Sequence, residues 1–352
     1  MGTRPEIIKL SPVIRALADD WTLRLIHTGQ HFDDGMDGVF FRQLALPPCD
    51  HRLDRSRRGQ HPAADVGQMI ADIGDILASV APALVLVQGD TNSALAGGLA
   101  AVKSGVRLAH VEAGCRSFNR RMPEETNRVL LDHVSDWLFA PDLRAKEHLA
   151  QEGLHDRVRV VGDTGVEALR WAAERLQPPR GASSEPYALV TVHRQESTSV
   201  PAVLTGIVEG VNRVAQAIHC IVLLHPRTRK AMSAFGLEFR SPVDVRDPAD
   251  YFGLVELLQG AHFVMTDSGG LQIESAVLGV PCLVLRHETE WTVAVDAGKN
   301  VLVGTTAEGI LDAATGLLSD PGLRQRMSRS PLPVGFEYPS GQLIAQALGE
   351  GL

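Results

Sequence analysis

Short apolar runs alternate with helix-like stretches along the whole chain, and this alternation limits the possible folds more than any other feature. Residues 23–26, 84–87, 108–111, 137–139 and 158–161 read as strands, and so do 188–191, 221–224, 263–265 and 282–285. Helical patterns such as 64–79 and 93–103 lie between them. A chain built this way forms parallel sheets with helices on both faces, and such sheets bind ligands beyond the carboxyl ends of their strands. At 352 residues the chain exceeds the roughly 250–300 at which a single core stops growing. Two Rossmann-like α/β domains are therefore expected, 1–165 and 166–337. The only linker-like stretch, from Pro178-Pro179 to Ser184, lies close to that junction.

One unit is richer in chemistry than the rest. The apolar run Phe263-Val-Met265 stops at Thr266-Asp267-Ser268-Gly269-Gly270, a helix-like segment follows, and a second apolar run begins near Cys282. A strand, a glycine turn and a helix start together aim free backbone N–H groups at an anion. Ser268 adds a hydroxyl, and Gly269 and Gly270 let a phosphate approach the backbone. Glu274, one turn into the helix, can accept hydrogen bonds from a ribose diol. A plain N-capped turn would explain the glycines but not an acid placed there.

Charge and composition exclude several classes. The net charge of −8 carries no compensating basic stripe, so nucleic acid is not expected as a partner; the cluster Arg55-Ser-Arg-Arg58 reads as a solvated loop. No apolar run reaches the roughly 18 residues of a membrane span, and the start lacks a signal-peptide core. The four cysteines are scattered without C-x-x-C spacing, which fits a reducing, cytoplasmic setting. His27 and His31 form the only i, i+4 histidine pair noted, on a strand-end turn with no third ligand spaced to join them, so no metal is expected. There is no G-x-G-x-x-G and no P-loop, hence no obvious nicotinamide cofactor.

Three acids end strands or open turns in the first half: Asp90 after Gln88-Gly89, Glu112 after His110-Val111, and Glu124 in Pro123-Glu-Glu-Thr-Asn-Arg128. Alone, each has an ordinary structural explanation: a helix cap for Asp90, a buried ion pair with Arg116 for Glu112, first-turn charge for Glu124. Three such acids converging on one cleft point instead to proton transfer. Arg4, Lys9, His193 and His225 supply positive and donor groups at a helix start or at strand ends. One irregularity stands out. Gly2-Thr-Arg-Pro-Glu6 reads as a strand-to-helix loop with no strand before it, where a doubly wound domain has about six apolar residues. A truncated or misassigned start is the expectation.

Taken in order, Gly2-Thr-Arg-Pro-Glu, His27-Thr-Gly-Gln-His, Gly89-Asp-Thr, His110-Val-Glu-Ala-Gly, Pro123-Glu-Glu-Thr-Asn-Arg, Thr191-Val-His-Arg, His225-Pro and Asp267-Ser-Gly-Gly-Leu-Gln resemble the non-hydrolysing UDP-N-acetylglucosamine 2-epimerase family. The resemblance covers essentially the whole chain. It implies two Rossmann-like domains facing a central cleft, the glycosyltransferase-B architecture, with a last helix (338–352) packing back on the first domain. It also implies a homodimer, a UDP-sugar substrate and no cofactor. Carried over by position, Arg4, Lys9, Asp90, Glu112, Glu124 and His193 match residues needed for activity. Ser268, Gly269, Gly270 and Glu274 match diphosphate and ribose contacts, and His31, Arg128 and His225 are further substrate-side candidates. Departures from the family pattern are Ile273 before Glu274, Thr289-Glu290-Trp291 in place of Thr-Glu-Arg, Leu254 at an aromatic position, and Phe32-Asp33-Asp34 after His31. They bear on the sugar and on activation by a second substrate rather than on the reaction. Thr-Glu-Trp also resembles a sister group acting on UDP-2,3-diacetamido glucuronic acid.

The implied chemistry suits these residue types. The C2 proton of an N-acetylhexosamine has no neighbouring carbonyl to acidify it. Departure of UDP from C1 creates oxocarbenium character, which makes C2–H acidic and yields a glycal; UDP then adds back after protonation from the other face. This needs cations and amides for the departing diphosphate and an acid and a base at C2. The expected assignment gives the proton transfers to Asp90 and Glu112, with Glu124 assisting. A hydrolysing epimerase, a retaining glycosyltransferase of the same architecture and a silent nucleotide-sugar sensor are the alternatives.

Overall fold

The computed structural model describes all residues except 31–39, 55–60, 177–184, 290, 333–334 and 352. His31, with the Phe32-Asp33-Asp34 that follows it, the basic cluster at 55–58 and the whole linker-like stretch fall outside the described residues. The chain divides into two compact units, Met1–Ala168 with Gly335–Leu352, and Leu169–Val334.

The second unit is built on a six-stranded sheet. Its strands are β7 (Tyr187–Thr191), β8 (His219–Leu223), β9 (Asp244–Arg246), β10 (Phe263–Thr266), β11 (Cys282–Val284) and β12 (Asn300–Leu302). All neighbours are parallel, in the order β12-β11-β10-β7-β8-β9. Alternate residues of one strand enter different cores: Val190, Met265 and Leu283 face one cluster, while Leu189, Val264, Cys282 and Val284 face the other. Sheets covered on both faces need strands that are apolar without interruption, which is why these runs were readable in the sequence. The order reverses at β7 and β10, so the crevice beyond their carboxyl ends is the switch point where ligands of such sheets bind.

In the first unit, β3 (Leu84–Gln88), β4 (Arg107–Val111), β5 (Trp137–Ala140) and β6 (Val158–Val160) form a parallel sheet in sequence order. A separate parallel pair joins β1 (Ile26–His27) to β2 (His51–Arg52). The expected strand at 23–26 is thus mostly unpaired chain, with only Ile26–His27 in the ladder. Strands β2, β9 and β12 were not expected. They are two or three residues long and partly exposed, so no apolar run announces them.

Met1 itself pairs as a strand residue would. Met1 donates its terminal ammonium to Ile26 O at 3.1 Å and accepts from Thr28 N at 2.9 Å, the pair of bonds that bridges one residue to a parallel neighbour. Beside it a cavity of about 550 Å³ runs along residues 22–26 and 82–87, lined by apolar side chains that include Leu10, Ile14, Leu25, Ile73, Leu77 and Leu86. No other described segment fills that place. The helix Ser340–Gly351 belongs to this unit, and Gly341 lies so close to Pro12 that a Cβ there would meet its carbonyl at 2.5 Å.

Candidate active site

Two clusters carry the chemistry, one in each unit. In the first, the carboxyl ends of β3 and β4 present Asp90 and Glu112, and the turn into Asp90 runs through Gly89, whose φ of +69° suits a residue without Cβ. Lys9, from the helix Arg4–Leu17, donates to Glu112 Oε2 at 2.6 Å, and the Gln88 amide donates to the same oxygen. Burial works against the Lys9 charge, but Glu112 and, behind it, Asp163 outweigh that effect, and the Lys9 pKa is raised. Glu112 therefore does pair with a cation as a structural explanation required, but with Lys9 and not Arg116. Its backbone stands at φ +71°, a conformation costing on the order of 1 kcal/mol outside glycine. The strand-end bond from Glu112 N to Phe139 O at 3.0 Å helps hold it there.

Asp90 does not cap the following helix. Thr91 does, accepting from Ala94 N, and the Asp90 carboxylate instead meets Arg128. Asn127 donates to the Asp90 carbonyl at 2.9 Å. Both come from the helix Pro123–Val134, which a Pro at its first turn starts. In that turn Glu124 is exposed while its neighbour Glu125 is buried. Glu125 accepts from Ser117 N and Oγ and Phe118 N, each at 2.9 Å, and from Arg128 at 2.8 Å. Burial would raise its pKa, but these donors prevail and the value is lowered. Arg128 thus bridges Glu125 to Asp90. Arg4 stands exposed at the first helix start, its guanidinium 5.9 Å from the Phe40 ring. Glu6, buried, accepts from Gly2 N, Thr3 Oγ1 and Thr91 Oγ1, which ties the loop before the first helix to the turn carrying Asp90.

In the second unit the β7 and β10 ends meet at the switch point. Asp267, fully buried, accepts from His193 N at 3.1 Å and Arg194 N at 2.9 Å, so the two loops are locked together. The His193 and His225 rings lie 5.4 Å apart, and Arg227 donates to His193 O at 3.3 Å. The helix Gly269–Val277 begins with Ser268 as its cap. The Ser268 amide is not available to an anion, because it donates to Thr266 Oγ1 at 3.0 Å. The Gly269 and Gly270 amides are the first of the helix and have no intrahelical acceptor. Glu274 lies one turn further on, partly exposed. A Cβ at Gly269 would stand 2.3 Å from Trp291 Nε1 and 2.9 Å from Arg194 Nη2, so any larger residue there would have to displace these side chains. Leu254 packs against the core cluster beneath this sheet.

Sequence reasoning missed Gln88, Glu125 and Asn127 as neighbours of the site. Glu125 alone had a usable signal, its i, i+3 spacing to Arg128. Among the described residues no cluster of His, Cys, Asp or Glu is arranged to hold a metal ion, no helix is long and apolar enough to cross a membrane, and Cys115, Cys220 and Cys282 are free thiols.

Comparison with known proteins gives a consistent result. Residues 15–348 match the family model described as UDP-N-acetylglucosamine 2-epimerase. The chain is 44% identical over 321 residues to the UDP-2,3-diacetamido-2,3-dideoxy-D-glucuronate 2-epimerase of Pseudomonas aeruginosa, covering 89% of this chain and 90% of that protein. It is 39% identical to the UDP-N-acetylglucosamine 2-epimerase of Methanocaldococcus jannaschii, covering 100% and 98%. A crystal structure of the M. jannaschii enzyme in complex with UDP-GlcNAc and UDP superposes with a TM-score of 0.82 at 38% identity, covering 99% and 98%.

Proposed function

This chain belongs to the UDP-N-acetylglucosamine 2-epimerase family, and from that premise we propose that it is an isomerase interconverting UDP-N-acetylglucosamine and UDP-N-acetylmannosamine. UDP leaves C1, a 2-acetamidoglucal forms as the C2 proton is removed, and UDP returns after protonation from the opposite face. The observation that carries the reading is the pair of strand-end carboxylates, Asp90 and Glu112, each engaged by its own cation, Arg128 and Lys9. Neither a retaining transferase nor a binding protein has use for two such groups at the ends of neighbouring strands. We assign the proton transfers to Asp90 and Glu112, with Glu124 and Arg4 facing the substrate from exposed turns. Lys9 holds Glu112. The diphosphate falls to His193, His225, the Ser268 hydroxyl and the Gly269 and Gly270 amides, and the ribose to Glu274. The same reading has the enzyme act as a homodimer in the cytoplasm without a metal or cofactor.

A second reading has specific support. The Pseudomonas relative acts, by its name, on a diacetamido glucuronate nucleotide, and Trp291 stands against the phosphate loop where the family pattern has arginine. Turnover in D₂O followed by NMR tests both. The glycal route places deuterium at C2, whereas hydride transfer keeps the original hydrogen and a transferase does nothing without an acceptor. Exchange with UDP-N-acetylglucosamine supports the first reading. Exchange only with the diacetamido uronate nucleotide keeps the reaction and changes the sugar, and exchange with neither removes the epimerase reading.

A further inference from the structure

Behind the two carboxylates of the first unit lies a buried chain of charges that the proposed chemistry does not use. His110, on β4, is fully buried; its Nδ1 is 2.7 Å from Asp132 Oδ1 and its Nε2 is 2.8 Å from Gly89 O. A carbonyl only accepts, so Nε2 carries a proton. Asp132, also fully buried, accepts with its other oxygen from Gly114 N at 3.0 Å and Arg116 Nη1 at 2.7 Å. Arg116 in turn grips Glu152 with Nε and Nη2 at 2.7 and 2.9 Å. A carboxylate serving Arg116 and an amide on one oxygen is ionised, so Nδ1 is a donor too, and His110 is an imidazolium. The charges alternate along His110, Asp132, Arg116 and Glu152, which is how buried ions are tolerated. Burial opposes the charged form of both His110 and Asp132, yet their mutual attraction raises the pKa of the first and lowers that of the second.

The two groups that this chain grips are informative. Gly89 O belongs to the turn that carries Asp90, and Gly114 N to the turn that carries Glu112. Both glycines, and Glu112 itself, have positive φ. A Cβ at Gly114 would strike Ala145 O at 2.3 Å, so that turn is pressed against the next helix. One side chain, Asp132, thus holds one turn directly and the other through His110.

We propose that His110 is a positioning residue: a permanently charged imidazolium, clamped between Asp132 and the Gly89 carbonyl, sets the separation of the Asp90 and Glu112 carboxyl groups. The inference rests on the reading that these two carboxyls transfer the C2 protons. Misplacing a catalytic group by about 1 Å costs up to roughly 10²-fold in rate, so His110→Gln should lower kcat by about 10- to 100-fold. Its amide can still reach Gly89 O but turns an acceptor towards Asp132. KM and UDP affinity, which depend on the second unit, should stay within about threefold. His110→Gln combined with Asp132→Asn restores donor against acceptor and should recover most of kcat.

Kinetics with UDP-N-acetylglucosamine, calorimetric UDP titration and thermal melts of the full chain read these effects. An unchanged kcat in folded His110→Gln, a loss confined to KM, or a folded double variant no better than the single one overturns the proposal. A measurement needing no substitution stands beside them. In ¹⁵N-histidine-labelled protein one of the 13 histidines should keep both ring protons at pH 8, and finding all of them neutral overturns it. Asp90→Asn and Glu112→Gln, assayed in parallel, separate the two readings. If they leave C2 exchange intact, the catalytic assignment fails; if they abolish it while His110→Gln does nothing, only the positioning role fails.

Discussion

Replacing Glu125 by glutamine removes one charge and leaves the shape, and the geometry fixes what must follow. Three donors converge on Oε2, Ser117 N, Ser117 Oγ and Arg128 Nη1, while Phe118 N alone points at Oε1. A glutamine amide placed at Oε2 would face two N–H donors at once. It therefore turns its NH₂ towards Phe118 N, leaving that one donor unpaired. The cost is one unmade hydrogen bond, about 1–3 kcal/mol in a buried setting and less here because Phe118 is exposed. The bond to Arg128 also loses the carboxylate's charge and becomes a weaker cation-to-carbonyl bond. Together these come to about 2 kcal/mol. For a unit of this size that is a drop of about 4–8 °C in Tm, measured on the transition of the first unit by calorimetry. Glu124→Gln, one residue earlier and exposed, should change stability by less than about 0.5 kcal/mol. The pH dependence follows from the sign of the shift. The Glu125 carboxyl is held below its ordinary value in the folded protein. Its contribution is complete above the unfolded carboxyl range, about pH 4.3, and is lost as pH falls through the folded pKa. The gap between parent and Glu125→Gln should therefore close in acid. Equal effects of the two substitutions at pH 7, or a gap that widens in acid, would show that Glu125 is not the buried acceptor on this helix.

Other outcomes follow from the same geometry. Asp90→Asn and Glu112→Gln should keep the fold and UDP affinity but reduce turnover by at least about two orders of magnitude, the usual worth of acid–base catalysis; near-normal kinetics in either would leave that residue a structural role. Glu274→Ala should weaken UDP binding by about 1–3 kcal/mol, and an unchanged calorimetric affinity would take it out of the ribose site. Fusing about six apolar, β-branched residues ahead of Met1 should fill the cavity beside β1 and β3 and raise Tm, since burying a strand contributes several kcal/mol before ordering entropy is subtracted. A polar extension of equal length serves as the control, and an equal Tm for both would mean that no strand enters the cavity.

The parallel sheets were legible because strands covered on both faces are largely apolar, as β3, β7, β8 and β10 are, and β4 is apart from Arg107 and buried His110. The edges were not. Strands β2, β9 and β12 each face solvent along one side, so their residues, such as Asp244-Val-Arg246, give no apolar run to find. The odd start was legible for a different reason. A helix opened by Thr3, Arg4 and Pro5 drew the eye to its N-terminal side, where Met1 stands in a parallel bridge beside an apolar cavity.

For the site, sequence identifies which residues stand at strand ends but not which atom each one meets. Asp90 and Glu112 could be found because β3 and β4 are readable and their next residues are acids. That Glu112 would choose Lys9 rather than Arg116 depends on the direction in which β4 leaves the sheet. At Glu112 the backbone turns through positive φ, which sends its side chain towards the first helix while Arg116 swings back towards Asp132. A pattern of residue types has no term for that turn. The same limit applied to Pro123-Glu-Glu, where two identical acids differ by about 100° around a helix and only the inward one is buried. The Ser268 amide shows it once more. Thr266, a strand residue, takes that N–H, so the phosphate loop offers the Ser268 hydroxyl and two glycine amides rather than three amides in a row. Sequence position singled out the loop, and the side chains of the neighbouring strand determine how many donors it has left to offer.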